Sequence, residues 1–120
     1  MAHEKGNRLG KAGEDAASLY LKSLGFEVIE RNWRITAGEI DIIARKGNLT
    51  VFVEVKSRSG NLFGEPEESI TPAKVAKLRA LAQNYIAENF VKGEIRFDVI
   101  SVVADRNGGI KDIRHIKDAF

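Results

Sequence analysis

The sequence predicts an α/β protein with a mixed central sheet flanked by helices. Apolar residues recur at helical spacing in residues 7–24 and again after residue 71, which indicates two helices. Segments that alternate between apolar and polar residues, as strands do, lie between these helices and after the second one. The resulting order is helix, three strands, helix, strand and strand, with no internal repeat or linker. We therefore expect one domain over residues 1–120.

Composition limits the chemistry available to the chain. There is no Cys, which excludes disulfides, thiolate catalysis and zinc–thiolate sites. No apolar run approaches the roughly 20 residues of a membrane span, and the N-terminus lacks a signal-peptide core, so we expect a cytoplasmic protein with no membrane partner. The net charge is +2, which is typical of a mildly basic solvated surface. If a few acids serve a metal, the remaining basic residues would instead suit a polyanion.

The first helix is predicted from about Asn7 to Leu24, and Gly25 is placed to end it. Glu14 lies on the apolar stripe of this helix, because Leu21, two turns later, returns to within about 20° of the same direction. Spacing leaves two interpretations open. Glu14 either serves a site at the edge of the core or suits the helix dipole near the N-terminus and reaches solvent.

Residues 26–34 alternate as a strand that we expect to be antiparallel to the next one. Arg31 and Arg34 flank Asn32 and Trp33, a combination that suits phosphates and a base or sugar face. The alternative is that Trp33 covers the edge of the core while both arginines extend into solvent.

Residues 38–58, GEIDIIARKGNLTVFVEVKSR, predict two strands joined by a turn at Gly47 and Asn48. This turn places Asp41 directly opposite Glu54, with Lys56 two residues further along on the same face. Opposed like charges destabilise a sheet, here by roughly 3 kcal/mol at about 5 Å and an effective dielectric of about 20. A hard divalent cation, Mg²⁺ or Mn²⁺, together with Lys56, would offset this repulsion.

The other face of the hairpin is predicted to be buried. It carries Ile40, Ile42, Ala44, Val51, Val53 and Val55. Taken alone, Glu54 and Lys56 would be explained by a surface ion pair. The addition of Asp41 and Glu14 favours a charged cleft.

Residues 57–70 predict a loop long enough to be a lid or binding loop, with Phe63 as a candidate wedge. Thr71 and Pro72 predict the N-cap and first residue of the second helix, and Gly93 its end. Lys74 and Lys77 on this helix are candidate phosphate contacts, although a solvated helix face also explains each of them.

Two further strands are predicted at residues 94–104 and 110–116, joined by a turn. Asp98 on the first of them is interpreted as the partner of an Arg in a structural ion pair. His115 alternates with Arg114 and Ile116 and is interpreted as a surface position on an edge strand.

The pattern of a helical Glu14, then Asp41, then Glu54-Val55-Lys56 resembles the PD-(D/E)xK nuclease superfamily, whose core is αβββαβ with an acid on the second strand and E-x-K on the third. The chain also resembles the uncharacterised bacterial YraN-like family nearly end to end, in GEDAASLYLKSLGFEVIERNWR, GEIDIIA, VFVEVKSR, FGEPEESIT, RFDVISV and HIKDAF. That family is similar in layout to archaeal Holliday junction resolvases and to the tRNA-endonuclease-like fold. The resemblance implies a restriction-endonuclease-like fold. The Pro of the superfamily's name is absent here, where Gly38-Glu39-Ile40 precedes the first acid.

The resemblance also implies roles for these residues. Asp41 and Glu54 would bind Mg²⁺ or Mn²⁺ with the carbonyl of Val55, and Glu14 would complete the ligand sphere directly or through water. Lys56 would orient or help to deprotonate the attacking water and stabilise charge on phosphorus. The candidate nucleic-acid contacts are Arg31, Arg34, Arg58, Lys74 and Lys77.

Three functions are compatible with these observations. The leading one is a metal-dependent endonuclease acting on DNA rather than RNA, with branched or single-stranded structures as candidate substrates. The second is a nucleic-acid-binding accessory module of recombination or repair with little cleavage of its own. The third is a protein-partner module that keeps the charged patch by chance, which the intact acid–acid–lysine set disfavours. Analogy with junction resolvases suggests a homodimer.

Overall fold

The computed structural model describes residues 4–59 and 70–120, and the order of its elements is the predicted one. The elements are α1 (Glu4–Ser23), β1 (Glu27–Ile35), β2 (Gly38–Lys46), β3 (Leu49–Ser59), α2 (Pro72–Asn89), β4 (Glu94–Ala104) and β5 (Ile110–Ile116). Most of the predicted loop, including Phe63, lies outside the described residues. Within the described ranges, neither helix is long and apolar enough to cross a membrane.

The five strands form one sheet in the order β1-β2-β3-β4-β5. β3 and β4 run parallel, and every other neighbouring pair is antiparallel. A parallel pair needs a long crossover, which α2 supplies here, whereas the antiparallel pairs are joined by short turns. The α/β prediction with a mixed central sheet is therefore confirmed, and the arrangement is consistent with a restriction-endonuclease-like core.

The two helices cover opposite faces of the sheet, and each buries its own cluster of apolar side chains. On the α1 face, Leu21 packs with Ile42, Val53 and Ile100. On the α2 face, Leu81 and Tyr85 belong to a second cluster whose other members include Ile40, Ile43, Phe52 and Phe97. Each face of the sheet can thus be named by the helix that covers it. The positions of the polar side chains of the site are described below by these two faces.

The helix ends follow from local signals, with one exception. Gly25 has a φ of 94°, which favours glycine, and it ends α1 as predicted. Thr71 caps α2 by accepting a hydrogen bond from the Lys74 N–H at 3.2 Å, with Pro72 in the first position, as predicted. The end of α2 is not at Gly93. Phe90 takes the left-handed conformation, with a φ of 52°, and closes the helix after Asn89.

His115 is not a surface residue, contrary to the sequence-based interpretation. Only 4% of its side chain is exposed, and its Nε2 lies 2.7 Å from Oδ2 of the fully buried Asp98. Its Nδ1 lies 3.1 Å from the hydroxyl of Tyr20 on α1. Alternation along β5 could not reveal this, because the covering residue comes from an element 95 positions earlier in the chain.

Asp98 does form the predicted ion pair, with Arg96 two residues before it on β4. The Arg96 guanidinium donates two hydrogen bonds of 2.8 Å to its carboxylate. Burial alone would raise the pKa of Asp98, but the hydrogen bonds from His115, Arg96 and the Asp118 N–H outweigh it and hold the pKa at about 2. This network joins α1, β4 and β5 around one buried charge.

Candidate functional site

The hairpin β2–β3 has the predicted register up to the position next to Asp41. Pairs run from Lys46–Leu49 to Ile42–Val53, and Asp41 and Glu54 would be the next pair, but the ladder ends before them. In place of a ladder hydrogen bond, the Val55 N–H donates to Oδ2 of Asp41 at 2.8 Å. The Asp41 side chain thus lies where the two strands separate.

The same position interrupts the alternation of two neighbouring strands. Ile40 packs on the α2 face and Ile42 on the α1 face, although residues two apart in a strand normally share a face. The prediction that Ile40 and Ile42 lie together is therefore wrong. On β1, Trp33 pairs with Ile40 and faces α2, whereas Arg31 pairs with Ile42 and contacts acids of α1.

Asn32, between these β1 residues, has a φ of 54°, the left-handed conformation that Asn tolerates better than most residues. It accounts for the change of face in β1, and Asp41 lies at the corresponding level of β2. The strands are therefore irregular at the point where the acid is placed.

Asp41 is held in an environment that disfavours its charge. Burial raises its pKa to about 6 from 3.8, and the negative charges of Glu14, Glu54 and Glu39 add to this effect. The hydrogen bond from Val55 acts in the opposite direction but does not outweigh them. The sequence-based expectation that acids crowd together at Asp41 is met, although not through a regular ladder pair.

Glu14 is brought to this cluster by an unusually close approach of α1 to β3. A Cβ built on Gly13 would lie 1.8 Å from Oγ and 2.9 Å from Cβ of Ser57, so only glycine fits there. The Glu14 side chain is 17% exposed and lies 3.6 Å from the Arg31 guanidinium. Glu14 therefore lies at the edge of the core and does not extend freely into solvent.

This contact gives a prediction about two glycines of α1. Gly→Ala inside a helix normally stabilises by about 0.5–1 kcal/mol, and Gly10→Ala should do so because no atom lies within 4 Å of the place its new methyl group would take. Gly13→Ala should instead destabilise by about 1–3 kcal/mol, because the new methyl group overlaps Ser57. Urea unfolding of both variants measures the difference. A shift of the same sign in both would contradict the close approach.

Glu54 forms an ion pair with Lys74, which the sequence suggests as a phosphate contact. Lys74 of α2 places its Nζ 3.0 Å from Oε1 of Glu54, whose side chain is only 13% exposed. The other carboxylate oxygen, Oε2, is buried without a hydrogen-bond partner. Lys74, expected to contact phosphate, thus lies within the acid cluster.

Lys56 lies beside the same pair. Burial lowers the pKa of the Lys56 ammonium, and the hydrogen-bonded Lys74 adds to the lowering, while the carboxylates of Glu54 and Asp41 oppose it. The site therefore combines three acids with two lysines, and it draws on α1, β2, β3 and α2.

A groove of about 610 Å³ lies next to the cluster. It is lined by Gly10, Lys11, Glu14, Arg31, Asn32, Arg34 and Glu39. Two of the predicted nucleic-acid contacts, Arg31 and Arg34, lie here, and each is paired with an acid: Arg31 with Asp15 at 2.7 Å and Arg34 with Glu39. Lys11, which the sequence analysis does not select, also lines the groove. It lies one helical turn before Glu14.

The remaining candidates lie elsewhere. The stem of Lys77 passes beside Gly38, and Arg58 donates a 3.4 Å hydrogen bond to Ser101 Oγ. Trp33 packs on the α2-face cluster, edge-on to Tyr85 with ring centroids 5.3 Å apart. The interpretation in which Trp33 covers the edge of the core is therefore the correct one.

The oxygen atoms of the cluster are of the type that a divalent cation binds, but they are not arranged around one point. Within residues 4–59 and 70–120, no three or more His, Cys, Asp or Glu side chains are gathered as a bound metal ion requires. The donor chemistry is nevertheless suitable, since carboxylate oxygens suit Mg²⁺ and Mn²⁺, and Glu54 Oε2 is a buried oxygen without a partner. The types of donor atom therefore fit such an ion, and an ion at Glu54 would compete with the Lys74 ammonium for the carboxylate.

The fold and this cluster define an α/β protein with a five-stranded mixed sheet between two helices and a cluster of acids and lysines at the split between β2 and β3. Residues 13–102 match the uncharacterised protein family UPF0102, and the chain belongs to this family. The predicted YraN-like membership is thereby confirmed.

Relatives of the same name cover nearly the whole chain. A UPF0102 protein of Desulforamulus reducens is 46% identical over 115 residues, which are 93% of this chain and 94% of the relative. A UPF0102 protein of Parafrankia sp. is 44% identical over 114 residues, or 94% and 96% of the two chains. One of Flavobacterium psychrophilum is 43% identical over 114 residues, or 95% and 94%.

Proposed function

We propose that the protein is a metal-dependent endonuclease that hydrolyses phosphodiester bonds in DNA, with branched or single-stranded structures as its substrates. The observation that carries the proposal is the meeting of Glu14, Asp41, Glu54 and Lys56 from three elements at one interruption of the sheet. A structural role alone does not account for a partly buried Asp41 whose pKa is raised by burial and by the neighbouring carboxylates, since that arrangement costs stability.

In this proposal, Asp41, Glu54, the Val55 carbonyl and Glu14 hold Mg²⁺ or Mn²⁺. The ion would supply positive charge to the phosphate and to the departing oxygen. Lys56 is half-buried next to these acids, and its lowered pKa suits it to orient the attacking water and take up its proton. The role of Asp41 requires its ionised form, which the bound ion would favour.

The groove beside the cluster would hold the nucleic acid. Lys11, Arg31 and Arg34 provide cations along one side of Glu14, and phosphates flanking the cleaved bond would lie against them. A DNA substrate fits the proposed cytoplasmic location. A homodimer would bring two such sites to the two strands of a branched substrate.

One observation favours a second candidate, a nucleic-acid-binding accessory module of recombination or repair without cleavage. Lys74 neutralises Glu54, and the acids of the described residues are not gathered around a metal position. A basic groove beside a neutralised cluster would bind nucleic acid without cutting it. The two candidates differ in whether a divalent cation produces cleavage.

The experiment is a cleavage assay on linear, single-stranded, flapped and four-way DNA and on RNA, with Mg²⁺ or Mn²⁺. We expect wild type to cut at least one DNA and Lys56→Met to lose about 100-fold in rate, the size of a general acid–base contribution. Lys92→Met, which removes an exposed lysine after α2, is the matched control and should cut like wild type. Binding without cleavage on every substrate would reject the nuclease in favour of the accessory module.

A further inference from the structure

Lys74 is fixed in place by the start of α2. Its backbone N–H donates to Oγ1 of Thr71, the N-cap, and Pro72 sets the first residue of the helix. From this first turn its side chain reaches back to β3, where Nζ lies 3.0 Å from Oε1 of Glu54. The Lys74 side chain is 28% exposed, so the ammonium has solvent on one side and the acid on the other.

The ammonium occupies the place where a cation at this cluster would be expected. Oε1 of Glu54 is taken by Lys74, and Oε2 is buried without a partner. Lys56 lies beside the same carboxylate, so Glu54 already serves two lysines. A divalent cation on Glu54 would repel an ammonium ion at this distance and so weaken the hold of the carboxylate on Lys74.

We propose that Lys74 is an exchangeable counter-ion of Glu54, which a divalent metal ion displaces and which then binds a phosphate of the nucleic acid. The inference rests on the proposed function, because it concerns the same metal site. It adds a coupling between the binding of metal and the binding of nucleic acid. Metal binding releases a cation toward the substrate, so metal and nucleic acid bind with positive cooperativity.

The coupling has a structural basis in the lysine side chain. A lysine has a long flexible stem, so Nζ can leave Glu54 while the backbone stays fixed by the Thr71 cap. Because Lys74 is partly exposed, the released ammonium needs no rearrangement of α2 to reach a phosphate held near Lys56. Reciprocity then requires that nucleic acid raises the affinity for metal by the same factor.

The first test is a calorimetric titration of MnCl₂ into the protein without nucleic acid. Lys74→Gln should bind Mn²⁺ about tenfold more tightly than wild type, because no ammonium has to be displaced. Lys74→Arg keeps a cation on Glu54 and should not gain affinity. Lys92→Gln removes an equal charge from an exposed position just after the same helix and should stay within about twofold of wild type.

The second test measures binding of a labelled single-stranded oligonucleotide by fluorescence anisotropy, in EDTA and in Ca²⁺. Lys74→Gln should match wild type in EDTA and bind several-fold more weakly in Ca²⁺, because only the metal-bound form presents Lys74 to phosphate. Equal Mn²⁺ affinity of wild type and Lys74→Gln would overturn the exchange and leave the nuclease proposal standing. Absence of Mn²⁺ binding in every variant would overturn both.

Discussion

Replacing Asp98 with Ala is expected to lower the free energy of unfolding by about 3–5 kcal/mol, the cost of removing one member of a buried, hydrogen-bonded charge network. The carboxylate is fully buried and accepts hydrogen bonds from Arg96, His115 and the Asp118 N–H. Its loss leaves the Arg96 guanidinium, 23% exposed, without the acid that neutralises it. Urea unfolding at pH 7 measures the change.

Asp112→Ala is the matched control for this prediction. Asp112 is a β5 acid about half exposed, and it pairs with Arg114 at 3.5 Å. Its removal should change stability by no more than about 0.5 kcal/mol. A loss of less than about 1 kcal/mol for Asp98→Ala would show that the network contributes little.

The same network determines how stability falls in strong acid. Because the pKa of Asp98 is lowered from 3.8 to about 2, its contribution is fully present above pH 4 and is lost as the pH falls through 2. The size of this contribution is about 2 kcal/mol, from the free energy of about 1.4 kcal/mol per pKa unit. Asp98→Ala should therefore lack this acid-dependent loss.

Asp41→Asn is expected to raise the free energy of unfolding by about 2–3 kcal/mol at pH 7.5 when no divalent cation is present. The amide is neutral, so it avoids burial of a charge among Glu14, Glu54 and Glu39, while its oxygen can still accept from the Val55 N–H. The melting temperature should rise by several degrees for a domain of this size. Asp112→Asn, at an exposed position, should leave it unchanged.

The pH dependence of this effect has a definite sign. The folded-state pKa of Asp41 is raised to about 6 from 3.8, so the cost of its charge is fully present above pH 6 and disappears below pH 4. Wild type should therefore gain stability as the pH falls from 7 to 4, and Asp41→Asn should gain less. Equal slopes in the two proteins over this range would contradict the assigned environment of Asp41.

Local sequence signals are sufficient to predict most of the fold. Gly47 and Asn48 determine the hairpin register, because a two-residue turn leaves one pairing, and that pairing is present from Lys46–Leu49 to Ile42–Val53. Thr71 and Pro72 determine the start of α2 for equally local reasons. The end of α2 is not predicted by such signals. The sequence predicts that Gly93 ends the helix, but Phe90, a non-glycine residue, takes the left-handed conformation there.

The site depends on longer-range contacts that no local pattern contains. The change of face at Asp41 accompanies the left-handed Asn32 on a different strand, so counting residues along β2 could not predict it. The sequence assigns Lys74 to phosphate or solvent, and only the packing of α2 on the sheet reveals its contact with Glu54. The hairpin acids and Lys56 are correctly predicted to be neighbours because they belong to one hairpin.

We propose that the acids around Asp41 form a divalent-cation site. The most direct test is the pKa of the Asp41 carboxyl group, measured by ¹³C NMR with and without Mg²⁺. The claim predicts a pKa of about 6 without the ion and a value well below that at saturating Mg²⁺, because a bound cation favours the carboxylate. A pKa that Mg²⁺ leaves unchanged would contradict it.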